Sequence, residues 1–119
     1  ARDLGCSSRG ADLDVQWGED DLLISTLPAD AGAPWAAALD ADRIGHTALL
    51  DASYHPWPTP LAQAWARHAP VAPVASGRDM LLWQAVDQVR LMTGAVTDAN
   101  LARVAQVMRS ALSTDGSSP

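Results

Sequence analysis

Two unbroken apolar runs, each stopped by proline, restrict the fold of this chain more than any other feature. Leu22-Leu23-Ile24-Ser25-Thr26-Leu27 ends at Pro28, and Thr47 to Tyr54 ends in His55-Pro56-Trp57-Pro58. Runs without polar alternation are the pattern of strands covered on both faces, as in parallel sheets. Proline then bars further ladder pairing. The first run is read accordingly as a central parallel strand.

Helical patterns follow both runs. Pro34 fits the first turn of an Ala-rich helix through Trp35 and Leu39, and Thr59-Pro60 supplies a hydroxyl N-cap and a proline at N1 for Leu61 to His68. Val71 to Ala75 is a third short strand, placed at an edge by Pro73. Asp79 is expected to cap a long helix with Leu82, Val86, Val89 and Met92 on one stripe, ending at Gly94. Thr97 or Asp98 begins a last helix, with Leu101, Val104, Ala105, Met108 and Leu112 on its buried side. Ala1 to Leu4 followed by Gly5 reads as the last turn of a helix, so the chain is expected to begin in mid-fold. Cys6 to Glu19 reads as a connecting segment with one short strand. The alternation of strands and helices specifies an α/β open parallel sheet. Three strands leave faces uncovered, as in one half of a larger sheet. Residues 1–112 are expected to form this unit and 113–119, rich in Ser, Gly and Pro, a flexible tail.

Composition removes whole classes of chemistry. The eight basic residues of the 119 are all Arg, so a Schiff base, a lysine acid or base and a P-loop lysine are excluded. A net charge of −6 without a basic cluster leaves no electrostatic footprint for nucleic acid or an anionic membrane. The single Cys6 and three scattered His give neither an internal disulfide nor a structural-zinc spacing. With no apolar leader and no long apolar run, a soluble cytoplasmic protein without metal is expected.

Function in such a sheet gathers at the carboxyl ends of the strands. Here those are Ser25 to Pro28, Asp51 to Thr59 and Ala75 to Met80. Polar groups there without an evident structural task are Ser25, Thr26, Tyr54, His55 and Arg78, with Gln84 one turn further on. Tyr54, the only Tyr, is either an aromatic at the edge of the core or a ligand-binding hydroxyl. The Gln84 amide takes either a backbone partner or a ligand. Gly77 reads first as a turn glycine, His55 as a loop residue, and Cys6 and His46 as structural. No nucleophile motif and no G-x-G-x-x-G phosphate cradle is present.

Three segments in this order resemble the C-terminal half of the shikimate dehydrogenase family. They are Asp21 to Pro28; Asp51-Ala52-Ser53-Tyr54-His55-Pro56 with Thr59-Pro60-Leu61; and Gly77-Arg78-Asp79-Met80-Leu81-Leu82-Trp83-Gln84-Ala85 closed by Thr93-Gly94. The last two match D-x-x-Y-x-P, T-P-L, G-x-x-M-L-x-x-Q-A and T-G. The resemblance implies a partial Rossmann-type, three-layer sheet with C-terminal helices and an NADP-dependent reduction of 3-dehydroshikimate to shikimate. It implies that Tyr54 and Gln84 contact the substrate, and that Ala52, Gly77 and Met80 lie against the nicotinamide end of NADP. The family's catalytic Lys and Asp, its carboxylate-binding Ser-x-Ser and its Gly-rich turn belong to a substrate domain and a first strand expected upstream of Ala1. The isolated chain is therefore expected to be inactive. Arg78-Asp79 stands where the family commonly has an apolar residue and Gly, and Ser25-Thr26 where it has Asn-Ala. A non-catalytic α-helical interaction module, or a quinate or shikimate dehydrogenase using NAD, are the alternatives that this sequence leaves open.

Overall fold

The computed structural model describes residues 21–114; the helix end at Gly5, the segment around Cys6 and residues 115–119 lie outside them. Three parallel strands, β1 (Leu22–Ser25), β2 (Ala48–Asp51) and β3 (Val74–Ser76), pair in the order β1-β2-β3. Their register aligns Leu23, Leu49 and Val74 in one row, Ile24, Leu50 and Ala75 in the next, and Ser25, Asp51 and Ser76 in the one after that. The fold is the expected α/β arrangement.

One face of the sheet is packed. A 3₁₀ turn (Ala29–Gly32), α1 (Ala33–Ala38), α2 (Ala41–Ile44) and α3 (Pro60–His68) connect the strands. They enclose a core of Leu39, Ile44, Leu49, Leu61, Ala62, Ala64, Trp65, Ala69 and Ala72. Pro34 sits in the first turn of α1, and Thr59 caps α3 by accepting from the Ala62 amide at 3.1 Å, both as read from the sequence. Trp65 is fully buried, and its indole N–H donates to the Thr47 carbonyl at 3.0 Å.

Among the described strands the central one is β2, whereas the sequence reading made β1 central. β1 is an edge of the described sheet, and Leu22 and Ile24 are 56% and 57% exposed on the unpacked face. The apolar run was composed for burial on two sides, but among the described residues only one side has a covering layer. β3, which follows Pro73, lies at the other edge of the described sheet, and the Pro73 carbonyl accepts from the Leu49 amide at 2.9 Å. A proline without an N–H can still accept, which is the half of the ladder β2 needs there.

After β3 the chain leaves the sheet as α4 (Gly77–Thr93), turns at Gly94 with φ +65°, and returns as α5 (Leu101–Thr114). These two helices build a second core of Leu82, Val86, Val96 and Ala105, with Leu101, Val104 and Met108 against it. The stripe expected on α4 is buried only in its first half, since Val89 and Met92 are exposed; Leu112 on α5 is exposed as well. Two helices packed side by side cover only the turns where they meet.

Ser76, not Asp79, is the N-cap of α4. The Ser76 hydroxyl accepts from the Asp79 amide at 3.3 Å, while the Asp79 carboxylate accepts from the Ser76 amide at 3.0 Å and the Ser76 hydroxyl at 2.7 Å. This is a reciprocal capping box, in which Asp79 occupies the third helical position. The Ser76 amide bond, helped by the Ser76 hydroxyl and by Arg109 at 3.8 Å, holds the Asp79 carboxyl below its usual range against the opposing effect of burial. A depressed folded-state pKa contributes stability that is complete at neutral pH and lost as pH falls through it. Removing its half of the capping box, Asp79→Ala should cost about 1 kcal/mol at neutral pH, the solvent-screened Arg109 pair adding little. In urea unfolding the gap between the two proteins should close in acid, once Asp79 is protonated.

Candidate functional site at the strand carboxyl ends

The three strand ends are fastened to one another by main-chain and short side-chain bonds. The Ala52 amide donates to the Ser25 carbonyl at 2.8 Å, and the Gly77 amide to the Ser53 carbonyl at 3.0 Å. The Ser53 hydroxyl donates to the Leu27 carbonyl at 3.2 Å. Asp51, buried at the end of β2, accepts from the Ser53 amide at 3.1 Å and from the Thr59 hydroxyl at 2.6 Å. One carboxylate thus shapes the turn after β2 and orients the N-cap of α3.

Gly77 is needed for contact rather than for an unusual dihedral. A Cβ there would run into the Ala52 carbonyl oxygen and lie 2.7 Å from its carbon and 3.0 Å from the Ser53 carbonyl carbon. The glycine lets α4 start directly against the turn after β2. It is itself buried, so its surface faces Ala52 and not an open cleft.

Beside these strand ends the unpacked sheet face and one side of α4 enclose a groove of about 580 Å³. Leu50 and Ala75 form part of its floor, and Met80, Trp83, Gln84 and Asp87 its wall. Met80, Trp83, Gln84 and Asp87 follow helical spacing and so share one side of α4. Asp79 and Asp87 are the charged lining residues, so the groove is acidic and suits neutral, hydroxyl-bearing or cationic groups better than phosphate.

The structure brings together four of the five site residues inferred from the sequence, in two pairs. Ala52 and Gly77 touch through their backbones, and Met80 and Gln84 line the groove. Tyr54 stands apart from the groove lining, on the loop after β2, with 60% of its surface exposed. Among the described residues no protein group bonds the Tyr54 hydroxyl or the Gln84 amide. Of the other polar candidates, Ser25 is buried within β1, whereas Thr26, His55, His46 and Arg78 are exposed. No three potential metal ligands cluster among the described residues, and no helix is long and apolar enough to cross a membrane.

Sequence reasoning missed the bracket formed by Asp51, Ser53 and Thr59. An Asp whose side chain accepts the amide two residues on is an Asx turn, and Asp51-Ala52-Ser53 ahead of a proline-rich loop carried that signal. Trp83 and Asp87 gave no signal of their own, because membership of a groove depends on which side of α4 meets the sheet.

No protein-family model matches the chain, and no curated protein does. Solved structures do match. A shikimate dehydrogenase from Mycobacterium tuberculosis is similar at 39% identity over 77% of this chain, with a TM-score of 0.60. A shikimate 5-dehydrogenase from Mycobacterium fortuitum is similar at 40% identity over 84% of this chain, with a TM-score of 0.56. The chain spans about a third of either protein, 32% and 35% respectively.

Proposed function

We propose that this chain, which belongs to the shikimate dehydrogenase family over the third of those proteins that it spans, contributes the nicotinamide-facing and part of the substrate-facing wall of an oxidoreductase. The reaction is the reversible reduction of 3-dehydroshikimate to shikimate with NADPH, which is oxidised to NADP. The observation that carries this reading is the groove beside the strand ends, where Gln84 presents an amide that no described protein group engages and Met80 an adaptable apolar surface. Family likeness at 39–40% identity is its second support.

Ala52 and Met80 fit the nicotinamide end, one being small and partly exposed at a strand end and the other flexible and polarisable. Gly77 acts behind them, letting Ala52 sit against the first turn of α4. When bound, the cofactor supplies or receives the hydride. Tyr54 and Gln84 bind the polyol, since a phenol and an amide each both donate and accept. Both can donate to the substrate's carboxylate as well as to its hydroxyl groups.

The chain has no lysine, so the proton for the carbonyl comes from a substrate domain that supplies the family's Lys and Asp. The family's phosphate-binding turn likewise has no counterpart in the sequence. General acid–base catalysis is worth roughly 10² to 10⁴-fold, and without it the 119 residues alone should not oxidise shikimate with NADP. Turnover by the isolated chain would overturn the division of labour. In a full-length protein carrying this segment, Tyr54→Phe and Gln84→Ala should each raise KM for shikimate by roughly two- to tenfold, the value of one hydrogen bond. Unchanged steady-state kinetics would remove both residues from the substrate site.

A further inference from the structure

All three backbone or side-chain polar groups of Ser53 are engaged, and each points to a different strand end. Its amide donates to Asp51 at 3.1 Å, its hydroxyl to the Leu27 carbonyl at 3.2 Å, and its carbonyl accepts from the Gly77 amide at 3.0 Å. Asp51 is itself held by the Thr59 hydroxyl at 2.6 Å. Tyr54 is the next residue, and from it through Pro58 the loop is exposed. The boundary between the fastened and the free part of this loop therefore falls between Ser53 and Tyr54.

We propose that Ser53 is the positioning residue of the candidate site: clamped to the loop after β1 and to the start of α4, it fixes the backbone from which Tyr54 projects. An exposed aromatic has many orientations available, and ordering it costs entropy when a ligand binds. Holding the adjoining Ser53 by three bonds removes part of that cost beforehand. The hydroxyl bond to Leu27 is the component that side-chain substitution can delete, because the other two Ser53 bonds are main-chain groups. The inference rests on the reading of Tyr54 as a substrate contact for its purpose, but not for its test.

Tyr54 is the only tyrosine, so the chain labelled with 3-fluorotyrosine gives a fluorine NMR signal from this position alone. The wild-type chain should show one narrow resonance, Ser53→Ala a broadened or split one, and Ser53→Thr, which keeps the hydroxyl, the narrow one again. A merely structural role would alter the unfolding midpoint without a hydroxyl-dependent change in this signal. An unchanged resonance in a folded Ser53→Ala protein overturns the proposal. If Ser53→Ala does not fold, amide exchange in the wild type decides. Ser53 and Gly77 amides as protected as those of β2 support the clamp, and exchange at the rate of the open loop overturns it. Adding shikimate to a wild-type protein that includes the substrate domain tests the functional reading separately. No shift of the Tyr54 resonance would remove Tyr54 from the substrate site and leave the clamp to be judged on Ser53.

Discussion

Gly77→Ala is expected to lower stability by about 3 kcal/mol or more, at the upper end of what overpacking costs. The added methyl would meet the Ala52 carbonyl, backbone that is itself tied to β1 through the Ala52 amide and to α4 through the neighbouring Ser53 carbonyl. A flexible side chain could swing aside, but here the first turn of α4 or the end of β2 must move. Gly94 provides the internal comparison. Its φ is +65° and nothing lies within 4 Å of an added Cβ, so Gly94→Ala carries only the left-handed conformational cost of roughly 1–2 kcal/mol. Urea denaturation of the two variants should separate them clearly, and equal midpoints would show that the contact at Gly77 yields. Gly77→Ala should also disturb the Tyr54 resonance, since it pushes on the same turn.

Trp65→Ala should cost about 3–5 kcal/mol, the range for emptying a large aromatic site. Trp65 is 0% exposed, packs among the residues of α1, α3 and β2, and donates its indole N–H to Thr47. Typical domains have only about 5–15 kcal/mol in total, so this substitution removes a large share of the margin. For a domain of this length each kcal/mol is roughly 4–8 °C in Tm. Trp65→Phe keeps most of the apolar bulk and deletes the N–H, and should cost about 1–2 kcal/mol. Thermal unfolding followed by circular dichroism would check both, and a Trp65→Ala protein melting near the wild type would mean that the core collapses around the vacancy.

Local chemistry was legible wherever a few adjacent residues settle it. Thr59-Pro60, Pro34 and Gly94 fall where capping and proline rules put them. Pro73 marked a strand that lies at an edge of the described sheet. The start of α4 was displaced by three residues because Ser76 and Asp79 both have capping side chains, and the sequence does not say which accepts from the other's amide. Burial was less legible than periodicity. Met92 and Leu112 continue apolar stripes beyond the turns where α4 and α5 touch, and Leu22 and Ile24 lie on a face without a covering layer among the described residues. For the site, motif resemblance proposed Ala52, Gly77, Met80, Tyr54 and Gln84, while contact geometry supplied a structural reason for Gly77. Whether Tyr54 and Gln84 share a ligand depends on the approach of loop and helix through space, which spacing along the chain does not encode.

Each strand pairs with its neighbour in sequence, β1 with β2 and β2 with β3, and this order bears on how the sheet is assembled. Parallel pairing is ordinarily slow, because a crossover must close before any ladder contact is made. Here each closure spans a single crossover, and loop entropy grows only slowly with length. The sheet can therefore zip in the direction of synthesis, with β2 templated on β1 and β3 on β2, without waiting for a distant segment. The turns after all three strands are gathered by the same two pairings, so forming the sheet is enough to bring the turns of the candidate site together.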